Sequence, residues 1–416
     1  MRYLTAEIER LLAEELKMCF VAGPRQVGKT TLAKHHLTLT KSPSTYFNWD
    51  VESDRKLILR SPEDFWLRRS TSAEPRKEAG RRKSRIRLAL DEIHKFPRWK
   101  RFLKGLHDAH SIDLDILVTG SGRLDVYQRG GDSLFGRYQI YHLYPFTVGE
   151  LLSADRAFLA TPDTFVRQIL ESRNSDTAQE ALRTIETFTG FPEPLFAESE
   201  TRLRRWSRSH EQLIVREELR DLTRIRDLGL IESLADLLPD RIGSPLSINA
   251  LREDLAVRFE TVQNWLAALD RLFYLFSIRP YAGKLARTLR REEKIYLFDF
   301  STISDAAARF ENLVALHLLK LCSAWTDFGY GDFGLSYVRD REKREVDFLI
   351  TERGKPFALV EAKLTAADVD PSLSYFAERL KPRYAVQIVR TPDRFNSAFV
   401  NRGVLLAPAT QALAVM

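Results

Sequence analysis

Eight residues near the start of the chain have the types and the spacing of a phosphate-binding loop. Residues 23–30 read G-P-R-Q-V-G-K-T and fit the pattern G-x-x-x-x-G-K-[ST]. Gly23 and Gly28 allow the backbone to curl around an anion, so that its N–H groups point at a phosphate. Lys29 is placed to reach the β- and γ-phosphates, and Thr30 offers a hydroxyl to Mg²⁺. The predicted nucleotide-binding set is Gly23, Gln26, Val27, Gly28, Lys29, Thr30 and Thr31.

Two adjacent acids follow an apolar run further along the chain. Residues 86–90 read I-R-L-A-L, and Asp91 and Glu92 come directly after them. We expect Asp91 to hold Mg²⁺, directly or through water, and Glu92 to polarise the attacking water as a general base. Another apolar run over 114–118 leads into T-G-S-G, where Thr119 or Ser121 is a candidate sensor of the γ-phosphate. An ordinary strand-to-loop turn is the alternative at that position.

A second set of charged residues, near the other end of the chain, has the pattern of a metal-dependent nuclease site. Residues 344–350 and 357–363 predict two paired strands that carry Asp347, Glu361 and Lys363. Alternation along a strand puts Glu361 and Lys363 on one face. We expect Asp347 and Glu361 to chelate Mg²⁺ and Lys363 to position or activate the water, with Glu311 as a further ligand. The alternative is a half-buried strand with charges on its solvent side.

The phosphate loop needs a sheet that places it at a strand end. Short apolar runs near 18–22, 45–49, 86–90, 114–118 and 138–142 alternate with helical patterns. This alternation predicts an α/β domain with a parallel sheet and helices on both of its faces. The loop would then lie at the carboxyl end of the first strand, where such sheets bind ligands. Residues 1–150 are therefore predicted to form a P-loop ATPase domain.

The rest of the chain divides into three predicted regions. Residues 151–245 are mostly helical and rich in Arg and Glu, which predicts a helical lid or connector. Residues 246–300 have the order helix, turn, helix, β-hairpin, which is typical of a winged helix. Its second helix is mostly apolar, so contact with DNA and contact with a protein both remain open. Residues 301–416 are predicted to form an α/β nuclease-like domain around the second charged set.

Composition restricts the class of protein. With 416 residues, the chain is long enough for two to four domains. A net charge of +7 is compatible with a nucleic-acid partner, and the basic stretch 76–87 is either a solvated loop or a phosphate-tracking surface.

The sequence has no run that would span a bilayer and no secretory signal, so we expect a cytoplasmic protein with no membrane partner. Cys19 and Cys322 each lie within an apolar stretch, which predicts two buried thiols rather than a disulfide or a metal pair.

Short motifs are spread over nearly all of the chain. They are G-P-R-Q-V-G-K-T-T-L-A-K (23–34), L-D-E-I-H-K (90–95), G-S-G-R-L (120–124), L-F-G-R-Y (134–138), L-Y-P-F-T (143–147), G-F-P-E-P-L (190–195), F-E-N-L-V-A (310–315), E-V-D-F (345–348) and V-E-A-K (360–363). With these motifs the chain resembles the bacterial and archaeal AAA-type P-loop ATPases that carry a C-terminal domain of uncharacterised function.

This resemblance implies ATP bound with Mg²⁺, an AAA-type core, a winged helix and a restriction-endonuclease-like C-terminal domain. It also implies that Arg137 is an arginine finger, acting in cis or from a neighbouring subunit, with Arg123 and Arg129 as rivals. A finger acting in trans would require a homo-oligomer, such as a ring.

We therefore predict an ATP-hydrolysing, Mg²⁺-dependent enzyme that remodels or translocates DNA, with cleavage by the C-terminal domain as a further activity. The alternative is an ATP-controlled switch or scaffold that binds a protein partner and carries an inactive nuclease-like fold.

Overall fold

The computed structural model describes nine stretches of the chain. They are residues 2–39, 44–69, 85–120, 134–152, 159–219, 228–281, 292–366, 368–393 and 395–416. The chain forms two compact units, Arg2–Tyr144 and Pro145–Met416.

The first unit contains a parallel sheet of five strands. The strands are β1 (Met18–Ala22), β2 (Ser44–Asn48), β3 (Ile86–Asp91), β4 (Leu114–Thr119) and β5 (Tyr138–His142). Their spatial order is β2-β3-β4-β1-β5, and every pairing is parallel. The predicted α/β fold with a parallel sheet is confirmed.

Helices connect these strands and cover the sheet. They are α1 (Thr5–Glu14), α2 (Lys29–Thr38), α3 (Glu52–Arg60) and α4 (Trp99–His110), with a 3₁₀ turn over Ile93–Lys95. All five residues of β1 are buried, as expected for a central parallel strand. Phe20, Leu88 and Val118, from three strands, belong to one apolar cluster with Trp99 of α4. This cluster fixes the strands whose ends carry the polar residues of the site.

The second unit contains helices before, between and after its strands. They are α5 (Val148–Leu152), α6 (Phe165–Glu171), α7 (Asp176–Phe188), α8 (Pro192–Ala197), α9 (Glu200–Gln212), a π-helical stretch (Leu213–Glu218), α10 (Leu228–Leu237), a 3₁₀ turn (Pro239–Arg241), α11 (Ile248–Asp254), α12 (Phe259–Arg271), α13 (Ala306–Asp327), α14 (Pro371–Leu380), α15 (Ala409–Ala412) and a 3₁₀ turn (Leu413–Val415). Trp206 of α9 is buried and stacks on His210, with a centroid distance of 4.7 Å.

A mixed sheet of eight strands forms the centre of the second unit. The strands are β6 (Leu275–Pro280), β7 (Lys294–Leu297), β8 (Phe333–Arg339), β9 (Glu345–Glu352), β10 (Lys355–Ala366), β11 (Tyr384–Pro392), β12 (Phe399–Asn401) and β13 (Val404–Pro408). Their order is β12-β13-β11-β10-β9-β8-β6-β7. Strands β9 and β10 pair antiparallel, as predicted.

The predicted succession of two helices and a hairpin is present in α11, α12, β6 and β7. The hairpin has a second partner that the sequence did not indicate, because β6 also pairs in parallel with β8 through Arg279 and Ser336. Residues 246–300 and 301–416 therefore share one sheet.

Two smaller expectations concern the whole chain. Both cysteines are buried thiols outside any disulfide, as predicted. Within the described ranges, no helix has the length and apolarity needed to cross a bilayer.

Candidate functional site

The loop between β1 and α2 is shaped by its two glycines. Gly23 has a φ of +154°, and a Cβ at this position would lie 2.1 Å from the carbonyl oxygen of Leu143. Gly28 precedes α2 in a left-handed conformation, with a φ of +99°. Gln26 also has a positive φ of +59°. This sequence of turns curls the backbone into the concave form that a phosphate requires.

Hydrogen bonds made by Lys29 and Val27 hold the loop in place. Lys29 Nζ donates to the carbonyl oxygens of Gly23 and Pro24 at 2.8 and 2.6 Å, and the residue is only 7% exposed. Val27 is fully buried, and its carbonyl oxygen accepts a hydrogen bond from Arg2 Nη1 at 2.9 Å. The ammonium is therefore held inside the loop that it is predicted to serve, at the start of a helix that favours anions.

Asp91 is the centre of a hydrogen-bonded cluster at the carboxyl end of β3. It accepts from the hydroxyl of Thr30 at 2.6 Å, from that of Tyr46 at 2.7 Å and from that of Thr119 at 2.6 Å. Asp91 is 2% exposed, so these three donors replace the water that an ionised carboxylate would otherwise bind. The structure brings together Thr30, Asp91 and Thr119, while the roles of Thr30 and Asp91 toward Mg²⁺ and of Thr119 toward the γ-phosphate stay predictions. Ser121 lies outside the described residues.

Tyr46 is a site residue that the sequence analysis missed. It lies on β2, next to β3, in a register that pairs Tyr46 with Ala89 and Asn48 with Asp91. Burial and the neighbouring Asp91 carboxylate raise the pKa of the Tyr46 phenol, so the hydroxyl remains a donor. A tyrosine two residues before the end of a strand was the available signal.

Glu92 follows Asp91 directly but has different surroundings. It adopts a φ of +57°, and its Oε2 lies 3.4 Å from Lys95 Nζ and 3.6 Å from His94 Nε2. Lys95 also pairs with Asp50, at 2.6 Å. The predicted general base is thus 8% exposed, beside the Asp91 cluster and close to the side chains of Lys95 and His94.

Arg137 lies at the amino-terminal ends of the strands of the parallel sheet, whereas the phosphate loop follows a carboxyl-terminal end. Its carbonyl oxygen accepts from Met18 N–H at 2.9 Å, at the amino end of β1. The phosphate loop begins after the opposite end of β1, about 16 Å away for five strand residues. The guanidinium pairs with Asp108, with Nε 2.6 Å from Oδ1. This placement contradicts a finger acting in cis. Action in trans stays a prediction, and Arg123 and Arg129 lie outside the described residues.

Asp347 and Glu361 each accept a backbone hydrogen bond from the strand that carries the other residue. Asp347 N–H donates to Glu361 Oε2 at 3.1 Å, and Ala362 N–H donates to Asp347 Oδ2 at 3.0 Å. Lys363 Nζ lies 2.7 Å from Glu361 Oε1 and 3.1 Å from Asp370 Oδ2. Burial raises the pKa of Asp347, and the nearby carboxylates of Glu311 and Glu361 raise it further. The structure therefore assembles Asp347, Glu361 and Lys363 at one place.

Lys294, which the sequence analysis did not single out, lies among these carboxylates. Its Nζ is 2.7 Å from Glu345 Oε1, 3.1 Å from Glu311 Oε1 and 3.5 Å from Asp347 Oδ1. The arrangement differs from the predicted one, because an ammonium lies where Glu311 and Asp347 were expected to hold a metal ion. Among the described residues, no group of three or more Asp, Glu, His or Cys residues is placed to bind a metal. A lysine at the start of the apolar run K-I-Y-L-F was the available signal.

Three family models match the chain. Residues 15–152 match one described as "AAA domain". Residues 179–314 and 307–411 match two that are each described as a domain of unknown function, DUF8612 and DUF4143.

Several proteins are similar to the chain over much of its length. An uncharacterized protein of Mycobacterium tuberculosis is 24% identical over 384 residues, which cover 90% of this chain and 75% of that protein. An uncharacterized protein of Haemophilus influenzae is 21% identical over 57% of this chain and 58% of its own length.

Two solved structures are also similar. The Walker-type ATPase PABY2304 of Pyrococcus abyssi has a TM-score of 0.42 and 16% identity, over 72% of this chain and 93% of that chain. The RuvB Holliday junction branch migration motor of Thermotoga maritima has a TM-score of 0.28 and 18% identity, over 70% and 91%.

The loop geometry and the family match define the first unit. Residues 15–152 match the AAA domain model, the first unit carries the P-loop of this class, and the chain is an ATPase.

Proposed function

We propose that the protein hydrolyses ATP with Mg²⁺ at the Lys29–Asp91 site and uses the energy to act on DNA. The observation that carries the catalytic part is the 2.6 Å contact between the Thr30 hydroxyl and the Asp91 carboxylate, beside the Lys29 loop. Hydroxyl, carboxylate and water oxygens are the ligands that Mg²⁺ prefers, so the donor set fits this ion.

Each residue of the site has a task in this proposal. The loop N–H groups and Lys29 hold the phosphates, while Thr30 and Asp91 supply the oxygen ligands. When bound, Mg²⁺ would neutralise charge on the β- and γ-phosphates. Glu92 accepts the proton of the attacking water, and Tyr46 and Thr119 keep the Asp91 carboxylate in position.

The DNA part of the proposal is supported by an arginine-rich face on α9. Arg202, Arg204, Arg205 and Arg208 are all exposed on this helix, and Arg204 and Arg208 lie opposite the buried Trp206. Arg204 pairs with Glu200 at 3.4 Å. Within the described part of the chain, the other three arginines have no acidic partner. Guanidinium groups at helical spacing suit a phosphate backbone, which dominates affinity for DNA.

The proposed winged helix offers less for DNA at its second helix. The exposed residues of α12 include Glu260, Gln263, Asn264 and Asp270, with Arg271 at the end of the helix. Acidic side chains repel phosphate, so we assign the backbone contact to α9 rather than to α12. The basic stretch 284–291, between β6 and β7, lies outside the described residues.

The experiment measures ATP turnover, with and without single-stranded, duplex and branched DNA, and the affinity for a labelled duplex at several salt concentrations. The variant Arg202→Gln/Arg205→Gln/Arg208→Gln is compared with Arg60→Gln/Arg167→Gln/Arg173→Gln, which removes three other exposed arginines. Each phosphate contact contributes about 0.9 to the slope of log affinity against log salt. We expect the α9 variant to lose about 2.7 from that slope, and the control variant to lose little.

Two results would overturn the proposal. Unchanged ATP turnover in Lys29→Ala would remove the assigned active site. A wild-type protein that turns over ATP, but neither binds DNA nor responds to it, would remove the DNA part.

A second function is favoured by the acidic exposed face of α12. In this alternative, the ATPase is a switch or scaffold whose winged helix binds a protein and whose C-terminal region is an inactive, restriction-endonuclease-like fold. Basal ATP turnover that no DNA stimulates, together with loss of a protein partner on Glu260→Arg, would favour it over the first.

A further inference from the structure

The carboxylate cluster of the second unit already contains a cation. Lys294 opens β7 and has no exposed surface. The three carboxylates around its Nζ come from two other elements, Glu311 from α13 and Glu345 and Asp347 from β9. Tyr296, two residues along β7, donates its hydroxyl to Glu311 Oε1 at 2.7 Å. The cluster therefore joins strands β7 and β9 and helix α13 through one ammonium.

The positive charge of Lys294 is balanced by neighbouring carboxylates. Oxygens of Glu345, Glu311 and Asp347 lie within 3.5 Å of Nζ and offset the cost of burying its charge. The Tyr337 ring lies 5.6 Å from Nζ and faces the same cation. If the ammonium left, Glu311 and Asp347 would lose their cationic partner, while Glu345 would keep its ion pair with Arg339 at 2.8 Å.

The carboxylate oxygens that a metal ion would need as ligands already contact an ammonium or a backbone N–H group. Asp347 uses Oδ1 for Lys294 and Oδ2 for Ala362 N–H. Glu361 uses Oε1 for Lys363 and Oε2 for Asp347 N–H. Magnesium requires oxygen ligands at about 2.0–2.1 Å in near-octahedral geometry, and a dication at Glu311 or Asp347 would be repelled by the ammonium 3.1–3.5 Å from their oxygens. The residues present therefore do not fit the metal that the nuclease pattern implies.

We infer that Lys294 is the resident cation of this site, in the place of a divalent ion, and that the C-terminal region works without metal-dependent cleavage. This inference concerns a different unit from the ATPase site and does not depend on ATP hydrolysis or on DNA stimulation. The cluster is also open to ions from outside, because the side chains of Glu311, Glu345 and Asp347 are 14–20% exposed. Absence of metal binding would therefore reflect Lys294 and not a closed surface.

The test measures Tb³⁺ luminescence in the full chain without nucleotide. Tyr296 donates to Glu311, so a lanthanide ion bound at the cluster would be excited through that phenol. Wild type is compared with Asp347→Asn, and the difference isolates this cluster from other binding sites. We expect the two titrations to coincide, and we expect Lys294→Met to gain Tb³⁺ affinity by at least tenfold. Mn²⁺ titration calorimetry of the same three proteins checks the result with a divalent ion.

The opposite result is equally clear. Wild-type binding of Tb³⁺ or Mn²⁺ that falls tenfold or more in Asp347→Asn would overturn the inference. So would Mg²⁺-dependent cleavage of DNA that Asp347→Asn abolishes. Because Lys294→Met exposes three carboxylates to each other, thermal melting must first show that this variant folds. If it does not, the comparison of wild type with Asp347→Asn decides alone.

Discussion

Gly23 offers a direct test of the geometry of the phosphate loop. An alanine Cβ at this position would lie 2.1 Å from the Leu143 carbonyl oxygen, whereas ordinary contact begins at 3.4 Å, so the atoms must separate by 1.3 Å. Leu143 cannot retreat freely, because its N–H donates to the Ala22 carbonyl oxygen at 2.8 Å. Overpacking and a strained φ each cost about 1–3 kcal/mol. We therefore expect Gly23→Ala to lower the free energy of unfolding by about 2–6 kcal/mol, or to displace the loop.

Gly105→Ala is the matched control. Gly105 lies inside α4, and a Cβ there has no neighbour within 4 Å. The same chemical change should be neutral or should stabilise the helix by about 1 kcal/mol.

The assay follows urea unfolding by tryptophan fluorescence, to which Trp49, Trp66 and Trp99, buried in the first unit, contribute half of the six indoles of the chain. Binding of a fluorescent ATP analogue is measured at the same time. A displaced loop would show as nucleotide affinity reduced at least tenfold with the unfolding midpoint retained. The reasoning is refuted if Gly23→Ala matches wild type in both measurements.

Three further predictions follow from other contacts. If Arg137 acts in trans, a mixture of Lys29→Ala and Arg137→Ala should hydrolyse ATP faster than either variant alone, and equal rates would contradict it. Burial lowers the pKa of His317 from 6.5 to about 3, so below pH 6.5 the unfolded chain binds a proton that the folded chain does not. The free energy of unfolding should therefore fall by up to about 1.4 kcal/mol per pH unit between pH 6.5 and 3, and urea titrations of His317→Gln should show a shallower fall. Lys320 and Glu150 form a fully buried ion pair at 2.8 Å, so Lys320→Met should cost about 3–5 kcal/mol in unfolding experiments, while Lys320→Met/Glu150→Leu costs less; additive effects would contradict this.

The elements of the first unit could be predicted closely from the sequence. Strands β1 and β5 have their predicted bounds, β3 and β4 are each one residue longer at the carboxyl end, and β2 is shifted by one residue toward the amino terminus. Buried parallel strands are short and uniformly apolar, and glycines and acids mark their ends, so the signal is local. The same locality explains why the loop residues and Asp91 were found together.

The parts that the sequence did not reveal depend on neighbours across a sheet. Tyr46 reaches Asp91 only because β2 pairs with β3 in one particular register. Lys294 meets Glu345 and Asp347 because β6 joins the hairpin to β8, a pairing with no local signature. The position of Arg137 could have been deduced from the sequence. A residue that directly precedes a parallel strand lies at the amino ends of the strands, and the phosphate loop lies at their carboxyl ends.

Strand β6 has consequences for any attempt to divide the chain. It is hydrogen-bonded to β7 on one side and to β8 on the other. A gene truncated near residue 300 would keep β6 and lose β8, leaving backbone groups of Arg279 without their partner. Exposed strand edges of this kind recruit strands from other molecules, so the fragment is expected to aggregate rather than behave as an isolated domain. A cut between Tyr144 and Pro145, where the chain passes from one compact unit to the other, separates none of the paired strands in the described residues.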